Sequence, residues 1–338
     1  MKIIIRVDAN HKSGIGHLIR SLSLGQELIN SGIDVICIGK IDKSLIQIRD
    51  EFGIDFIETN FNHGTISDLK NIRQFSRKIN ADWICLDGYN FSLEYINQLK
   101  SDFHLIQFSD KPLLSIYESH IVVDNNISPE ISEYNLSKNS ILLSGPKYIC
   151  LRSSLFSERI SNNLQPEQVK SLLITLGGSD PNNFMPLILD SIRKLSFLDK
   201  ITVLQGPLFR NEKIISSFSK KNKKIEIIKN KFDISKYIIN SDMVVSSAGT
   251  TAYEISAICK PMILIATVDN QIKNAKKFKE NKLAFSIENP DEVTERNVYD
   301  IVKLLSNDKK SRIKFSNNMK SLFDSKGCNR IVNTILNY

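Results

Sequence analysis

Short β-rich apolar runs alternate with amphipathic stretches of helical period along almost the whole chain, and few folds accept that alternation. In the first half the candidate strands are Lys2 to Arg6, Asp34 to Ile38, Asp55 to Glu58, Asp82 to Leu86, Phe103 to Phe108, His120 to Val123 and Ile141 to Leu143. Helical patterns such as His17 to Asn30 and Ile66 to Ile79 lie between them. In the second half the runs are Ser171 to Leu176, Ile201 to Leu204, Ile225 to Ile228, Asp242 to Ser246, Met262 to Ala266 and Ala284 to Ile287. Helices there fit Met185 to Leu195, Phe232 to Asn240, Thr251 to Ile258, Gln271 to Glu280 and Glu292 to Ser306. Apolar strands spaced by helices make βαβ units and parallel sheets covered on both faces.

At 338 residues the chain is long for one core. The polar stretch "SERISNNLQPEQV" from Ser157 to Val169, with Pro166, reads as a linker. The fold expected is α/β, with two Rossmann-like, doubly wound domains facing a central cleft. Residues 1–156 would form the first domain and 170–322 the second, with 323–338 a helical segment packing across them. In such sheets ligands bind beyond the carboxyl ends of the strands, at the switch in strand order. The cleft between two such domains is the default site.

Net charge is +8, and the densest basic run is Lys220-Lys221-Asn222-Lys223-Lys224, which reads as a solvated helix end or loop. A mild positive field favours an anionic substrate. No RNA-recognition or zinc-finger signature accompanies it, so no nucleic-acid partner is expected. No apolar run approaches a membrane span. The five cysteines are scattered without a C-x-x-C pair, and the chain opens on a strand, not a signal sequence. These features together predict a cytoplasmic protein, expected to be a monomer.

The stretch "RVDANHKSGIGHLIRSL", Arg6 to Leu22, follows the first strand and opens a helix. A glycine loop leading into a helix N-terminus is an anion-binding geometry. Gly14 and Gly16 allow a sharp turn and close approach to a ligand. The dinucleotide fingerprint fails, since Ile19 stands where its third glycine belongs, and no lysine follows Gly16 as a phosphate loop requires. What stands there is G-x-G-H-x-x-R. The dipole at a helix start disfavours an imidazolium, so His17 is expected to be neutral and able to accept a proton as a general base; the alternative is a helix-capping or packing ring. His11 reads as an exposed loop residue. Arg20 either binds phosphate or covers the helix surface. Asp8 either accepts loop N–H groups or touches substrate. Asp87 and Tyr89 end a buried strand, where Tyr89 faces the site or caps the core. Asp110 and His120 are expected to pair within the first domain.

Three second-half segments follow strands: "LGGSDPNN" from Leu176, "SSAGTTAYE" from Ser246 and "ATVDNQ" from Ala266. Gly177, Gly178, Ser179 and Asp180 lie in the first. In the second, Gly249, Thr250 and Thr251 open a helix and make a diphosphate site of N–H groups and hydroxyls. Glu254 either reaches back as the far member of a capping box or holds a ribose hydroxyl pair. The third carries Asn270 and Gln271. All three would converge on one ligand.

These segments, with "CLDGYNF" at Cys85, "LLSGPKYICLR" at Leu142 and "DSKGCNR" at Asp324, run in order along essentially the whole chain. The set resembles the two-domain GT-B nucleotide-sugar enzymes, and most closely the UDP-sugar hydrolases of pseudaminic acid biosynthesis and their spore-coat polysaccharide relatives. The resemblance implies hydrolysis of UDP-2,4-diacetamido-2,4,6-trideoxy-β-L-altropyranose to UDP and free sugar, by water attack at the anomeric carbon, with no metal and no cofactor. It implies that the second domain holds UDP and that the sugar lies against the glycine loop. There His17 matches the family's catalytic histidine and Tyr89 its sugar-side tyrosine. The family commonly has a histidine where this chain has Gly88. The rival expectation is a glycosyltransferase of the same architecture, passing the sugar to an acceptor other than water.

Overall fold

The computed structural model describes residues 1–10, 15–157, 159, 165–209, 212–229, 231 and 233–338. The chain forms two compact units, Met1–Leu151 with Lys326–Tyr338, and Arg152–Ser325.

The first unit holds a parallel sheet of β1 (Lys2–Val7), β2 (Asp34–Gly39), β3 (Asp55–Glu58), β4 (Trp83–Asp87), β5 (His104–Phe108), β6 (Ile121–Asp124) and β7 (Ile141–Ser144). Their order is β3-β2-β1-β4-β5-β6-β7. In the central strand Ile4 is opposite Ile36 of β2 and Ile84 of β4. The run Ile3-Ile4-Ile5 has no exposure at all, so each side chain contributes about 1.5–3 kcal/mol of apolar burial. Ile4, Ile38, Ile84 and Leu86 pack on Leu69 and Ile72 of the helix Ile66–Lys78 and on Ile96 and Leu99 of the helix Leu93–Lys100. Thr65 and Ser92 cap these two helices by accepting the N–H of Asp68 and Tyr95.

The second unit repeats the plan with β8 (Ser171–Thr175), β9 (Lys200–Gln205), β10 (Ile225–Lys229), β11 (Met243–Ser247), β12 (Met262–Ile265) and β13 (Phe285–Ile287). The order is β10-β9-β8-β11-β12-β13, again all parallel. In each sheet the chain winds outward on one side, then returns to the other side of its first strand. The loops after β1 and β4, and after β8 and β11, therefore part in opposite directions and open a crevice in their own unit.

All thirteen expected strands form, with ends shifted by at most two residues. The helices follow the expected pattern less closely. The helix expected from Glu292 starts at Glu295, because the Thr294 hydroxyl accepts the Asn297 N–H and sets the first turn there. The helix expected from Phe232 begins on a residue outside the described ones and is seen as Ser235–Ile239. The helices Glu212–Lys221 and Lys309–Leu322 escape the periodicity reading. The lysine run ends the first of these and is exposed.

The stretch expected to be a linker lies within the second unit. Its Arg159 donates to the carbonyl oxygens of Ala257 and Phe323, while 158 and 160–164 lie outside the described residues. The last helix, Gly327–Leu336, belongs to the first unit. Asn329 Nδ2 donates to Glu27 Oε1 at 3.3 Å on the helix Gly16–Asn30. A Cβ at Gly327 would sit 2.0 Å from the Ile149 carbonyl oxygen, so only glycine starts the helix there. No described helix is long and apolar enough to cross a membrane.

Candidate functional site

At the carboxyl edge of the first sheet, buried ion pairs hold two histidines. Asp87, the last residue of β4, is 1% exposed, and donors fill both of its oxygens. His17 Nδ1 is 2.5 Å from Oδ1. Arg20 donates Nε to Oδ2 at 2.8 Å and Nη2 to Oδ1 at 2.6 Å, and the Ser21 hydroxyl donates to Oδ2 at 2.8 Å. Burial alone would raise the Asp87 pKa. The guanidinium of Arg20, with His17, outweighs burial and holds the carboxyl well below the usual range.

An ionised carboxylate only accepts, so the hydrogen it meets on His17 is the Nδ1–H. Arg20 Nη2 also lies 2.9 Å from Nδ1, and it donates one of its two hydrogens to Asp87 Oδ1. In the neutral ring Nε2 is then the basic nitrogen. Asp87, rather than the helix dipole, sets the tautomer and orientation. The Tyr89 ring stands edge-on to the His17 ring, with centroids 4.9 Å apart, and its hydroxyl donates to Asp110 Oδ2 at 2.8 Å. Burial, then the Asp110 carboxylate, raises the phenol above its usual range, so Tyr89 stays protonated.

These positions change several expectations. Arg20 does not cover the helix surface. It is 8% exposed, pairs with Asp87 and Asp110, and lies over the Phe108 ring at 4.8 Å. Each Asp87 oxygen already has two partners within the unit. Asp8, 5% exposed, accepts the loop N–H groups of Lys40 at 2.8 Å and His63 at 3.1 Å and pairs with the buried Arg6. Tyr89 is 46% exposed and does not cap the core. Asp110 and His120 do not pair: Asp110 holds Arg20, while His120 Nδ1 accepts the Leu105 N–H at 2.9 Å. Gly16 is the first residue of its helix, while Gly14 and His11 lie outside the described residues. His63, which the sequence reading passed over, sits on Asp8. The signal for it was weak, a single His-Gly pair in the loop after β3.

In the second unit the three expected loops come together. A Cβ at Gly177, where φ is +76°, would lie 3.3 Å from Ser247 Oγ and 3.7 Å from Thr251 Oγ1. One at Gly249 would lie 3.4 Å from Gln271 Nε2. Thr267 donates its N–H and hydroxyl to Gln271 Oε1 at 3.0 and 3.1 Å, which points the Nε2 end toward Gly249. Asn182 Nδ2 ties the first loop to the third through the Thr267 carbonyl at 2.7 Å. Gly249 precedes the helix Thr250–Ala257 in extended conformation, and no side chain caps the helix. Its first N–H groups, with the half-buried Thr250 and Thr251, are suited to an anion.

Two residues have structural settings here that the sequence did not show. Asp180 accepts the N–H of Phe184 at 2.9 Å and Met185 at 2.8 Å, and so starts the helix Phe184–Ile192. Glu254 is no capping-box partner, because the helix starts at Thr250 and its third residue is Ala252. Burial pushes the Glu254 carboxyl up to about 7, against the pull of Arg152, so near neutrality it donates as readily as it accepts. Ser179 is half-buried in its loop, and Asn270 is exposed in the turn before the helix Ile272–Glu280. Among the described residues, no three His, Cys, Asp or Glu side chains gather as a metal site would.

Residues 172–331 match the model of the glycosyltransferase family 28 C-terminal domain. The chain is 26% identical over 275 residues to the uncharacterized protein MJ1062 of Methanocaldococcus jannaschii, covering 78% of this chain and 55% of that one. It thus spans about half the length of that relative. It is 23% identical over 279 residues to the UDP-2,4-diacetamido-2,4,6-trideoxy-beta-L-altropyranose hydrolase of Campylobacter jejuni, covering 81% of this chain and 95% of that one. Among solved structures it resembles Acinetobacter baumannii MurG, with a TM-score of 0.71 at 11% identity over the whole of both chains. It also resembles Anabaena Alr3699/HepE in complex with UDP-glucose, with a TM-score of 0.68 at 11% identity over 100% of this chain and 99% of that one. Two doubly wound parallel sheets in one chain are thus the GT-B fold, and the second of them carries a match to the glycosyltransferase family 28 C-terminal domain.

Proposed function

We propose that this chain hydrolyses a UDP-linked 2,4-diacetamido-2,4,6-trideoxy-hexose to UDP and the free sugar. The observation that carries the reading is the His17–Asp87 pair, whose geometry makes Nε2 a base held in one orientation. In the reaction a water oxygen attacks the anomeric carbon. The bond from that carbon to the diphosphate oxygen breaks, its electron pair leaves with UDP, and the water proton goes to His17 Nε2. UDP is a good leaving group, so the main tasks are to place the water and to stabilise charge on the diphosphate. The open start of the helix Thr250–Ala257, with Gly177, Gly178 and Gln271 beside it, suits the second task. The named activity of the Campylobacter relative and the UDP-glucose bound by Alr3699/HepE support this choice of ligand. Such a step belongs to the making of nonulosonic acids for surface polysaccharides.

The glycosyltransferase match of residues 172–331 favours a second reading, transfer of the sugar to an acceptor hydroxyl deprotonated by the same Nε2. UDP release from candidate UDP-sugars, measured with and without acceptor, separates the two. Hydrolysis predicts equal amounts of UDP and free sugar in water alone, undiminished by EDTA. Release only with an acceptor overturns hydrolysis in favour of transfer.

The diphosphate loop makes its own prediction. A Cβ at Gly206 would lie 2.4 Å from the Gly177 carbonyl oxygen and 2.5 Å from that of Gly178, both backbone atoms that must move. Gly206→Ala is expected to weaken UDP binding by roughly 1.4 kcal/mol or more, a factor of about ten, in a calorimetric titration. Wild-type affinity in the variant would take the 177–178 loop out of the UDP site.

A further inference from the structure

A second histidine–carboxylate pair stands at the same sheet edge as the first. His63 Nδ1 lies 2.7 Å from Asp8 Oδ2. Burial alone would raise the Asp8 pKa, but the His63 and Arg6 hydrogen bonds outweigh it and keep the carboxylate ionised. The hydrogen between Asp8 and His63 is therefore on Nδ1, and in the neutral ring Nε2 is the acceptor.

Asp8 has other donors besides this ring. Arg6 and the backbone N–H groups of Lys40 and His63 already donate to its oxygens. The ring is also not wholly buried. Its side chain is 15% exposed, and it tilts against Phe91 with centroids 5.4 Å apart.

The position of its free edge is more telling. A Cβ at residue 88 would lie 3.0 Å from both Cδ2 and Nε2 of His63, so glycine leaves the room that this edge occupies. The next residue, Tyr89, stands against His17. Two imidazoles, each with Nδ1 on an ionised aspartate, thus flank consecutive residues just past the end of β4.

We infer that His63 is a second sugar-contacting residue, whose Nε2 accepts a hydrogen bond from a hydroxyl or amide N–H of the hexose. The inference rests on the UDP-sugar reading above. His17 takes the proton in that reaction, which leaves His63 to hold the ring that is attacked. Loss of such a bond raises KM for the UDP-sugar and leaves the affinity for UDP alone untouched, since UDP lacks the sugar.

The test is steady-state kinetics of the full chain and of His63→Ala and His63→Gln, with UDP as a competing product. Glutamine can present an acceptor oxygen near the place of Nε2. The expected result is a KM about tenfold higher for His63→Ala, an unchanged inhibition constant for UDP, and partial recovery in His63→Gln. An unchanged KM in His63→Ala overturns the inference, and so does a UDP constant that rises in step with KM, which would mark a purely structural role. If the wild-type chain releases UDP from no UDP-sugar, the functional reading itself fails. An active wild type with an indifferent His63→Ala removes only the role of His63.

Discussion

A His17→Ala variant is expected to lose on the order of 10²–10⁴-fold in kcat, the range for removal of a general base, while binding UDP as the wild type does. The two halves of that expectation rest on different units. The proposed base is in the first, where Asp87 and the Tyr89 ring fix the imidazole. The loops proposed for the diphosphate are in the second, where Gly177, Gly249 and Gln271 converge. Loss of the ring leaves Asp87 well served, because Arg20 and Ser21 still donate to both of its oxygens. The variant is therefore expected to fold, and added imidazole should restore part of the rate by entering the vacated space. Full turnover in His17→Ala would end the assignment, whatever its UDP affinity.

The strands were legible because a parallel strand buried on both faces must be apolar throughout, as the runs at Ile3-Ile4-Ile5 and Met262–Ile265 are. The loops at their carboxyl ends were legible for the same reason, since once strand and helix are placed the turn between them follows. His17 stood out because it takes the place where a phosphate loop or dinucleotide loop would continue. Its partner did not. Asp87 lies 70 residues away, and only the return of the chain to the far side of β1 brings the two together. An aspartate at a strand end reads equally as a ligand to substrate or as a buried counter-ion, and the choice depends on whether an arginine is beside it. Arg20 was read on its own helix, where about four turns of sequence show neither Asp87 nor Asp110. The same limit hid the Asp8–His63 pair, whose members are 55 residues apart. Glu254 was misplaced by a smaller error. Taking Thr251 as the N-cap, two residues past the actual N-cap Gly249, gives Glu254 a partner it does not have.

Asp87→Asn is expected to harm both stability and turnover, for separable reasons. The amide has one acceptor and one donor where the carboxylate has two acceptors. If its NH₂ faces Arg20 and Ser21, donors meet donors. If it faces His17, Nδ1 must become the acceptor, the hydrogen moves to Nε2, and the base is lost. The second arrangement costs kcat on the order of 10²–10⁴-fold, while the first acts on stability. The substitution also leaves Arg20 buried with a single counter-ion. Breaking a buried pair costs about 3–5 kcal/mol, and the lower end applies because Asp110 still faces the guanidinium. The pH dependence distinguishes this loss from a packing defect. Asp87 titrates well below the usual range in the folded chain and near about 3.9 when unfolded. On acidification the unfolded state takes the proton first, so the contribution of Asp87 is whole above the unfolded value and fades as pH falls toward the folded one. The stability gap between wild type and variant, from urea unfolding, should therefore be widest near neutrality and narrow steadily below about pH 4. A gap that stays constant with pH would mean that the carboxylate is not what Arg20 holds in place, and the orientation of His17 would need another cause.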